Sequence, residues 1–223
     1  TNIEIKTING IPLIEVKKTP LDGWGRVAKR FFDIVISFIF LIILSPVFLI
    51  ITILIKLDSF GPIFYQAERV GARGKRFTLY KFRSMVVGAD KMKEKLVASN
   101  ERADGPLFKM KADPRITRVG KFLRKTSMDE LPNFWNVLIG KMSLVGPRPH
   151  EPGEVARYEE HHKKLLNIKP GVTGLAQVSG RSTLDFETEV KLDTLYIETW
   201  SLKQDLVILL KTPFVVLRGK DAA

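Results

Sequence analysis

The chain has 223 residues, with 36 Lys and Arg against 24 Asp and Glu, a net charge of +12 and no cysteine. That length is enough for one domain with a sizeable core, and the missing cysteines exclude disulfides and thiolate metal sites without fixing a compartment. In a soluble protein such charge would suggest nucleic acid. Beside a membrane segment it suits anionic head groups or phosphate-bearing substrates.

Residues 1–18 alternate (Ile3, Ile5, Ile8, then Ile11, Leu13, Ile14, Val16) around Asn9-Gly10, which signals a hairpin. A lone hairpin is marginally stable, and the chain starts with Thr. Residues 1–20 therefore read as the remnant of an upstream domain or a linker, running into Thr19-Pro20-Leu21-Asp22-Gly23. Residues 24–32 are amphipathic and basic, suited to the head-group level. They lead into a hydrophobic run, 34–55, interrupted at Ser45-Pro46.

At roughly 1.5 Å per residue that run could cross a hydrocarbon core of about 30 Å. Length favours a straight span with a proline kink. The flanks favour something else: Arg26, Lys29 and Arg30 precede the run, and Lys56, Arg69, Arg73, Lys75 and Arg76 follow it. Basic flanks stay on the cytoplasmic side, so a helix that enters, breaks and returns keeps both clusters inside. The residues alone leave span and re-entry open. The uniformly apolar run suits lipid better than a soluble core.

After a turn at Gly61-Pro62, residues 63–65 and 77–82 read as strands joined by the loop 69–76. Residues 89–98 read as a charged helix, 99–118 as mostly loop and 119–125 as a short basic helix. Further helices are expected at 132–139, 154–167, 186–200 and, despite Pro213, 202–217. Residues 170–181 read as a Gly-rich loop with a short strand. Helices mixed with a few short strands give the class α+β. The division is 21–58 as the membrane-entering element and 59–223 as a catalytic or binding domain, with residues 1–20 and helix 202–217 leaving room for a homodimer contact.

Asp129-Glu130 stands just ahead of a helix. Ser127 and Glu130 have capping-box spacing, but Pro132 fits better as the first helical residue. The two carboxylates then lie in the turn near a positive helix end, where a phosphate could bind. Paired acids in a basic protein also suit Mg²⁺. Arg124, Arg148 between two prolines, and Arg181 are phosphate-holding candidates. Gly171, Gly174 and Gly180 could let backbone N–H groups approach phosphate, without Walker A spacing. His150, His161 and His162 read as surface residues rather than metal ligands, adjacent histidines on a helix pointing apart.

Five motifs in order carry a resemblance. They are the basic start with Ser45-Pro46; Tyr80-Lys81-Phe82-Arg83-Ser84-Met85; Asp129-Glu130-Leu131-Pro132-Asn133; Met142-Ser143-Leu144-Val145-Gly146-Pro147-Arg148-Pro149; and Lys169-Pro170-Gly171-Val172-Thr173-Gly174-Leu175-Ala176-Gln177-Val178. Over residues 24–218 the chain resembles the bacterial sugar transferases, the monotopic phosphoglycosyl transferases, and in particular a large member. The resemblance implies transfer of a hexose-1-phosphate from a UDP-sugar of the glucose or galactose type to undecaprenyl phosphate, with release of UMP. It implies a re-entrant helix broken at Ser45 and Pro46, amphipathic interfacial helices, and a catalytic domain on the cytoplasmic face of the bacterial inner membrane, starting exopolysaccharide, capsule, O-antigen or glycan assembly. By the same motifs, Asp129 would be the nucleophile that carries the phospho-sugar. Glu130 would be the partner acid for Mg²⁺, and Lys81, Arg124, Arg148 and Arg181 phosphate contacts. Asp193 and Asp205 match further active-site acids. Two other readings remain: a lipid-anchored, polyanion-binding module without catalysis, and a transferase working through a ternary complex.

Overall fold

In the computed structural model the described residues are 3–8, 11–16, 20, 21, 23–89, 91, 92, 110, 113–180 and 183–218. The chain opens with the hairpin β1 (Ile3–Ile8) and β2 (Ile11–Val16), paired antiparallel from Ile3↔Val16 to Ile8↔Ile11. Then come α1 (Trp24–Ile43) and α2 (Ser45–Asp58), so the amphipathic entry and the first half of the apolar run are one helix.

α1 is patterned inside out. Its buried residues are Lys29, Asp33 and Ser37, spaced by four and so on one face. Trp24, Val27, Phe31, Phe38, Ile42 and Ile43 point outward. The inward polar stripe is satisfied by long-range contacts. Asp33 Oδ1 accepts the Leu144 N–H at 3.0 Å. Lys29 Nζ donates to Asp205 Oδ2 at 2.6 Å and to the Tyr196 hydroxyl at 3.0 Å. Arg30 donates to the carbonyls of Val137 and Leu138 at 2.6 and 2.8 Å.

α1 and α2 meet at Leu44 with a bend of 59°. Pro46 falls in the first turn of α2, where its missing N–H would have had no helical partner. Ser45 Oγ donates to the Ile42 carbonyl at 2.8 Å, satisfying an acceptor that the break exposes. Among the described residues no single helix is long and apolar enough to cross a membrane; the bent pair passes that test only together.

β3 (Phe64–Val70) and β4 (Arg76–Phe82) form a second hairpin, in register from Phe64↔Phe82 to Val70↔Arg76. The strands run further into 69–76 than composition suggests. The reversal is confined to a tight turn in which Arg73 and Gly74 adopt positive φ, 58° and 69°. Of the helix expected at 89–98, only residues 89, 91 and 92 are described, and they are helical.

Next comes α3 (Arg118–Lys125), capped by Thr117 Oγ1, which accepts the Gly120 N–H at 3.0 Å. A 3₁₀ turn, Met128–Glu130, leads to α4 (Asn133–Leu138). β5 (Ser143–Val145) and β6 (Gly171–Thr173) pair in parallel. Between them lie α5 (Pro152–Val155) and a 3₁₀ segment, Glu160–Asn167, where one continuous helix was expected. The stretch read as loop contains α6 (Leu175–Ser179). The chain ends in α7 (Phe186–Thr199) and α8 (Leu202–Arg218), which contains Pro213. The class is thus mixed: helices around three two-stranded sheets among the described residues.

Two apolar clusters hold these parts. The larger joins β4, α4, β5, α7 and α8 through Leu79, Val137, Leu144, Val190, Tyr196 and Ile208. The smaller joins α2, β4 and α3 through Ile51, Ile55, Phe82 and Leu123. Asp205 sits at the edge of the first, fully buried. It is held by Lys29, by Tyr196 Oη at 2.7 Å from Oδ1, and by the Trp200 Nε1–H at 3.2 Å from Oδ2. Removing Lys29 would leave a carboxylate buried without its cation. Lys29→Ala should therefore destabilise the fold by about 3–5 kcal/mol, read by denaturant unfolding of the detergent-held protein; a loss under about 1 kcal/mol would contradict the assignment.

Candidate active site

A cavity of about 970 Å³ opens between the hairpin, the turn before α4, the loop after β5 and α6. Asp129 reaches it from the 3₁₀ turn. Ser127, just before, has φ 54°, a left-handed conformation that folds the chain back after α3 and delivers Asp129 inward. α3 approaches its neighbours closely: a Cβ at Gly120 would lie 1.9 Å from the Ser84 carbonyl oxygen, so only glycine fits. That approach sets the helix carrying Arg124 beside the hairpin.

Asp129 is 9% exposed. Burial pushes its carboxyl up to about 6. The Lys81 ammonium opposes this, Glu130 reinforces it, and Arg124 and Arg148 oppose it. The group is therefore ionised at neutral pH, but poorly solvated. Glu130 is different: it is half-buried and Lys81 Nζ donates to its Oε1 at 2.7 Å. Lys81 comes from β4, one strand position from Phe82 in the smaller core.

Asp193 lines the same cavity from α7. Burial is the main cause that raises its carboxyl to about 7, and the nearby backbone N–H groups of Ala176 and Arg148 oppose that rise. Asp193 thus lies close to both the start of α6 and the Gly-Pro-Arg-Pro loop. Asp193 Oδ1 and Asn133 Oδ1 are buried without a hydrogen-bond partner. Asn133 also lines the cavity, one turn of chain after Asp129.

The structure brings together Asp129, Glu130, Lys81, Arg124, Arg148 and Asp193. It does not bring Asp205, which is sealed in the ion pair with Lys29. Arg181 lies outside the described residues.

A family model for the bacterial sugar transferases matches residues 24–219. The chain belongs to the bacterial sugar transferase family. It is 46% identical over 215 residues to the undecaprenyl-phosphate galactose phosphotransferase of Salmonella typhimurium, covering 95% of this chain and 45% of that one. It is 40% identical to the UDP-glucose:undecaprenyl-phosphate glucose-1-phosphate transferase of Klebsiella pneumoniae, covering 96% of this chain and 45% of that one. With the exopolysaccharide production protein ExoY of Sinorhizobium fredii the identity is 42%, over 84% of both chains. The chain thus spans about half the length of the first two relatives and most of the third.

In this family member two sequence readings need correction. Gly171 and Gly174 are packed on backbone: a Cβ at Gly171 would lie 2.1 Å from the Gly146 nitrogen and one at Gly174 2.4 Å from the Gly146 oxygen. Their smallness seats the 169–174 segment on the Arg148 loop. The histidines are not simply surface residues. His150 and His162 are buried around Tyr158 and Phe186. His161 and His162 do not point apart; both converge on Glu187, with Nε2 at 3.1 and 2.7 Å from its oxygens. The Glu159 N–H donates to His162 Nδ1 at 3.0 Å. His162 is thus bonded through both ring nitrogens, and the ligand atoms of His161, His162 and Glu187 lie within 4.8 Å of one another, close enough that they could hold a metal ion.

Because the folded state binds the Asp129 proton more tightly than the unfolded chain does, stability is lost as pH rises from about 4 to about 6, and the loss levels off above that. Asp129→Asn should raise stability at about pH 7.5, by up to about 3 kcal/mol, with the gap closing near pH 4. Paired denaturation curves at the two pH values measure this. A variant less stable than its parent at the higher pH would contradict the burial argument.

Proposed function

We propose that this chain transfers a hexose-1-phosphate from a UDP-sugar of the galactose or glucose type to undecaprenyl phosphate, releasing UMP, through a phospho-sugar carried on Asp129. The observation that carries the reading is a desolvated, ionised carboxylate among Lys81, Arg124 and Arg148, in a cavity that also touches the α1–α2 elbow at Phe40, Leu44 and Val47. A weakly solvated carboxylate is a better nucleophile than one in water, and covalent catalysis divides one difficult displacement into two. The relatives named for undecaprenyl-phosphate sugar transfer support the substrate classes.

In the first step an Asp129 oxygen bonds to the phosphorus that bears the sugar. The bond from that phosphorus to the UMP oxygen breaks, and its electron pair leaves with UMP. In the second, a phosphate oxygen of the lipid attacks the same phosphorus and Asp129 departs as a carboxylate. Arg124 and Arg148 hold phosphate oxygens, and Lys81 keeps Glu130 beside them. Asp129 and Glu130 supply the hard carboxylate oxygens that would hold Mg²⁺. When bound, that ion neutralises charge on the diphosphate.

Residues 21–58 form the membrane element in this reading, entering and returning on the cytoplasmic side of the inner membrane, with 59–223 as the catalytic domain. The inside-out pattern of α1 supports it, since the helix shows apolar side chains to its surroundings and polar ones to the protein. Such a reaction begins the assembly of an exopolysaccharide or related glycan on its lipid carrier.

The test is UMP release by the detergent-held protein supplied with Mg²⁺, undecaprenyl phosphate and either UDP-galactose or UDP-glucose. One donor should give sustained UMP, Asp129→Asn none, and Arg148→Lys a loss of about 10²-fold or more, because an ammonium cannot reproduce the guanidinium fork. UMP release by Asp129→Asn at the parent's rate would overturn the assignment. Failure of both donors would remove the hexose reading.

A further inference from the structure

His161, His162 and Glu187 meet where the 3₁₀ segment Glu160–Asn167 packs against the first turn of α7. One donor atom from each lies within 4.8 Å of the others. His161 Nε2 is 3.1 Å from Glu187 Oε2 and His162 Nε2 is 2.7 Å from Oε1, so each imidazole takes one oxygen of the same carboxylate. The two rings lie close together, with centroids 3.9 Å apart. None of the three residues lines the cavity that holds Asp129.

Ordinary packing and hydrogen bonding account for half of this cluster. His162 is buried, and its ring stands edge-on to Tyr158 and Phe186. His161 is different. Its side chain is half exposed and open to water, yet it turns onto the carboxylate that His162 already occupies. Two imidazoles and one carboxylate are a donor set for Zn²⁺, which takes three such ligands and a water in a tetrahedron. Mg²⁺ prefers oxygen ligands and does not fit this set. Donor atoms around a tetrahedral zinc lie about 3.4 Å apart, and the two imidazole–carboxylate distances are already near that value. The exposed sides of His161 and Glu187 leave the fourth position to solvent.

The surrounding groups act on the two rings in opposite ways. His161 Nδ1 is 3.7 Å from Glu159 Oε2, so a carboxylate stands beside that nitrogen, favours its proton there and leaves Nε2 for an ion. His162 Nδ1 accepts the Glu159 N–H at 3.0 Å. Coordination through His162 Nε2 puts the ring proton on Nδ1 and displaces that N–H. The ion therefore binds at the cost of one backbone hydrogen bond, which sets the affinity in the micromolar range rather than that of a fully preformed site.

We propose that His161, His162 and Glu187 form a Zn²⁺ site, separate from the Asp129 and Glu130 carboxylates, with water as the fourth ligand. The ion staples the 3₁₀ segment to α7, the helix from which Asp193 lines the cavity. The site stands on its own donor set and does not depend on the reaction proposed above.

The full chain, purified without an oligohistidine tag, stripped by a chelator and held in detergent with millimolar Mg²⁺, is titrated with Zn²⁺ against a chromophoric zinc indicator. One Zn²⁺ per chain should bind at micromolar free ion, and thermal unfolding should move to higher temperature. His161→Ala and, separately, Glu187→Gln should each weaken binding by about tenfold or more. Glutamine keeps an acceptor for the rings but is a poor zinc ligand, so that variant separates ligation from hydrogen bonding. Both side chains are half exposed, and unfolding curves without zinc should stay near the parent's. Asp129→Asn should leave Zn²⁺ affinity unchanged. Zinc-edge X-ray absorption of the loaded parent should show two imidazoles. Parent affinity in both His161→Ala and Glu187→Gln would overturn the proposal. Loss of binding in Asp129→Asn alone would assign the ion to the cavity and overturn it too, as would no Zn²⁺ uptake by the parent over the range of the indicator.

Discussion

The inward polar stripe of α1 is the constraint on which the other parts depend. Lys29, Asp33 and Ser37 face the protein, and nearly every contact they make is to a distant part of the chain. Apolar packing alone would tolerate sliding of a helix by a residue or a rotation about its axis. A carboxylate that must accept one backbone N–H and an ammonium that must meet one carboxylate do not. Burying such a pair is expensive and adds little net stability against an apolar substitute. Here it fixes the register of the elbow against β5 and α8. Arg30 adds to this by closing the C-terminal end of α4, whose other end follows Asp129.

From that fastening the chemistry of two adjacent carboxylates diverges. Asp129 is buried, and desolvation raises it although cations oppose that rise. Glu130, next in the chain, is half-buried and already bonded to Lys81. Environments that separate like groups are how one site assigns different roles to them. Asp193 is a third case. It is buried on the cavity wall, and desolvation raises it while the neighbouring backbone N–H groups of Ala176 and Arg148 oppose that rise. The same burial that makes these acids useful makes the site costly to the fold, as expected where function and stability compete.

Much of this was legible in the sequence because local rules and tertiary need agree. The pairing of β1 with β2, the break at Ser45-Pro46 and the acids in the turn before α4 each follow from residue type and spacing. What stayed hidden was set by contacts at long range. Nothing local in Lys29 or Asp205 says that the two meet across 176 positions. That pairing removes Asp205 from the cavity where motif order had placed it. Gly171 and Gly174 looked like a phosphate cradle because composition cannot distinguish a backbone that approaches a ligand from one that approaches Gly146. The histidines were read as a helical pair, but a 3₁₀ segment and a glutamate supplied by α7 turn them to one point. α6 was lost inside a Gly-rich stretch, where a five-residue helix leaves too little periodicity to see.

The central claim is that Asp129 itself carries the phospho-sugar. The most direct measurement is the intact mass of the protein after incubation with Mg²⁺ and a UDP-sugar, in the absence of any lipid acceptor. The account predicts a gain of one phospho-hexose in the parent and none in Asp129→Asn. An unmodified parent that nevertheless releases UMP once undecaprenyl phosphate is added would contradict it, and would place both substrates together in a ternary complex instead.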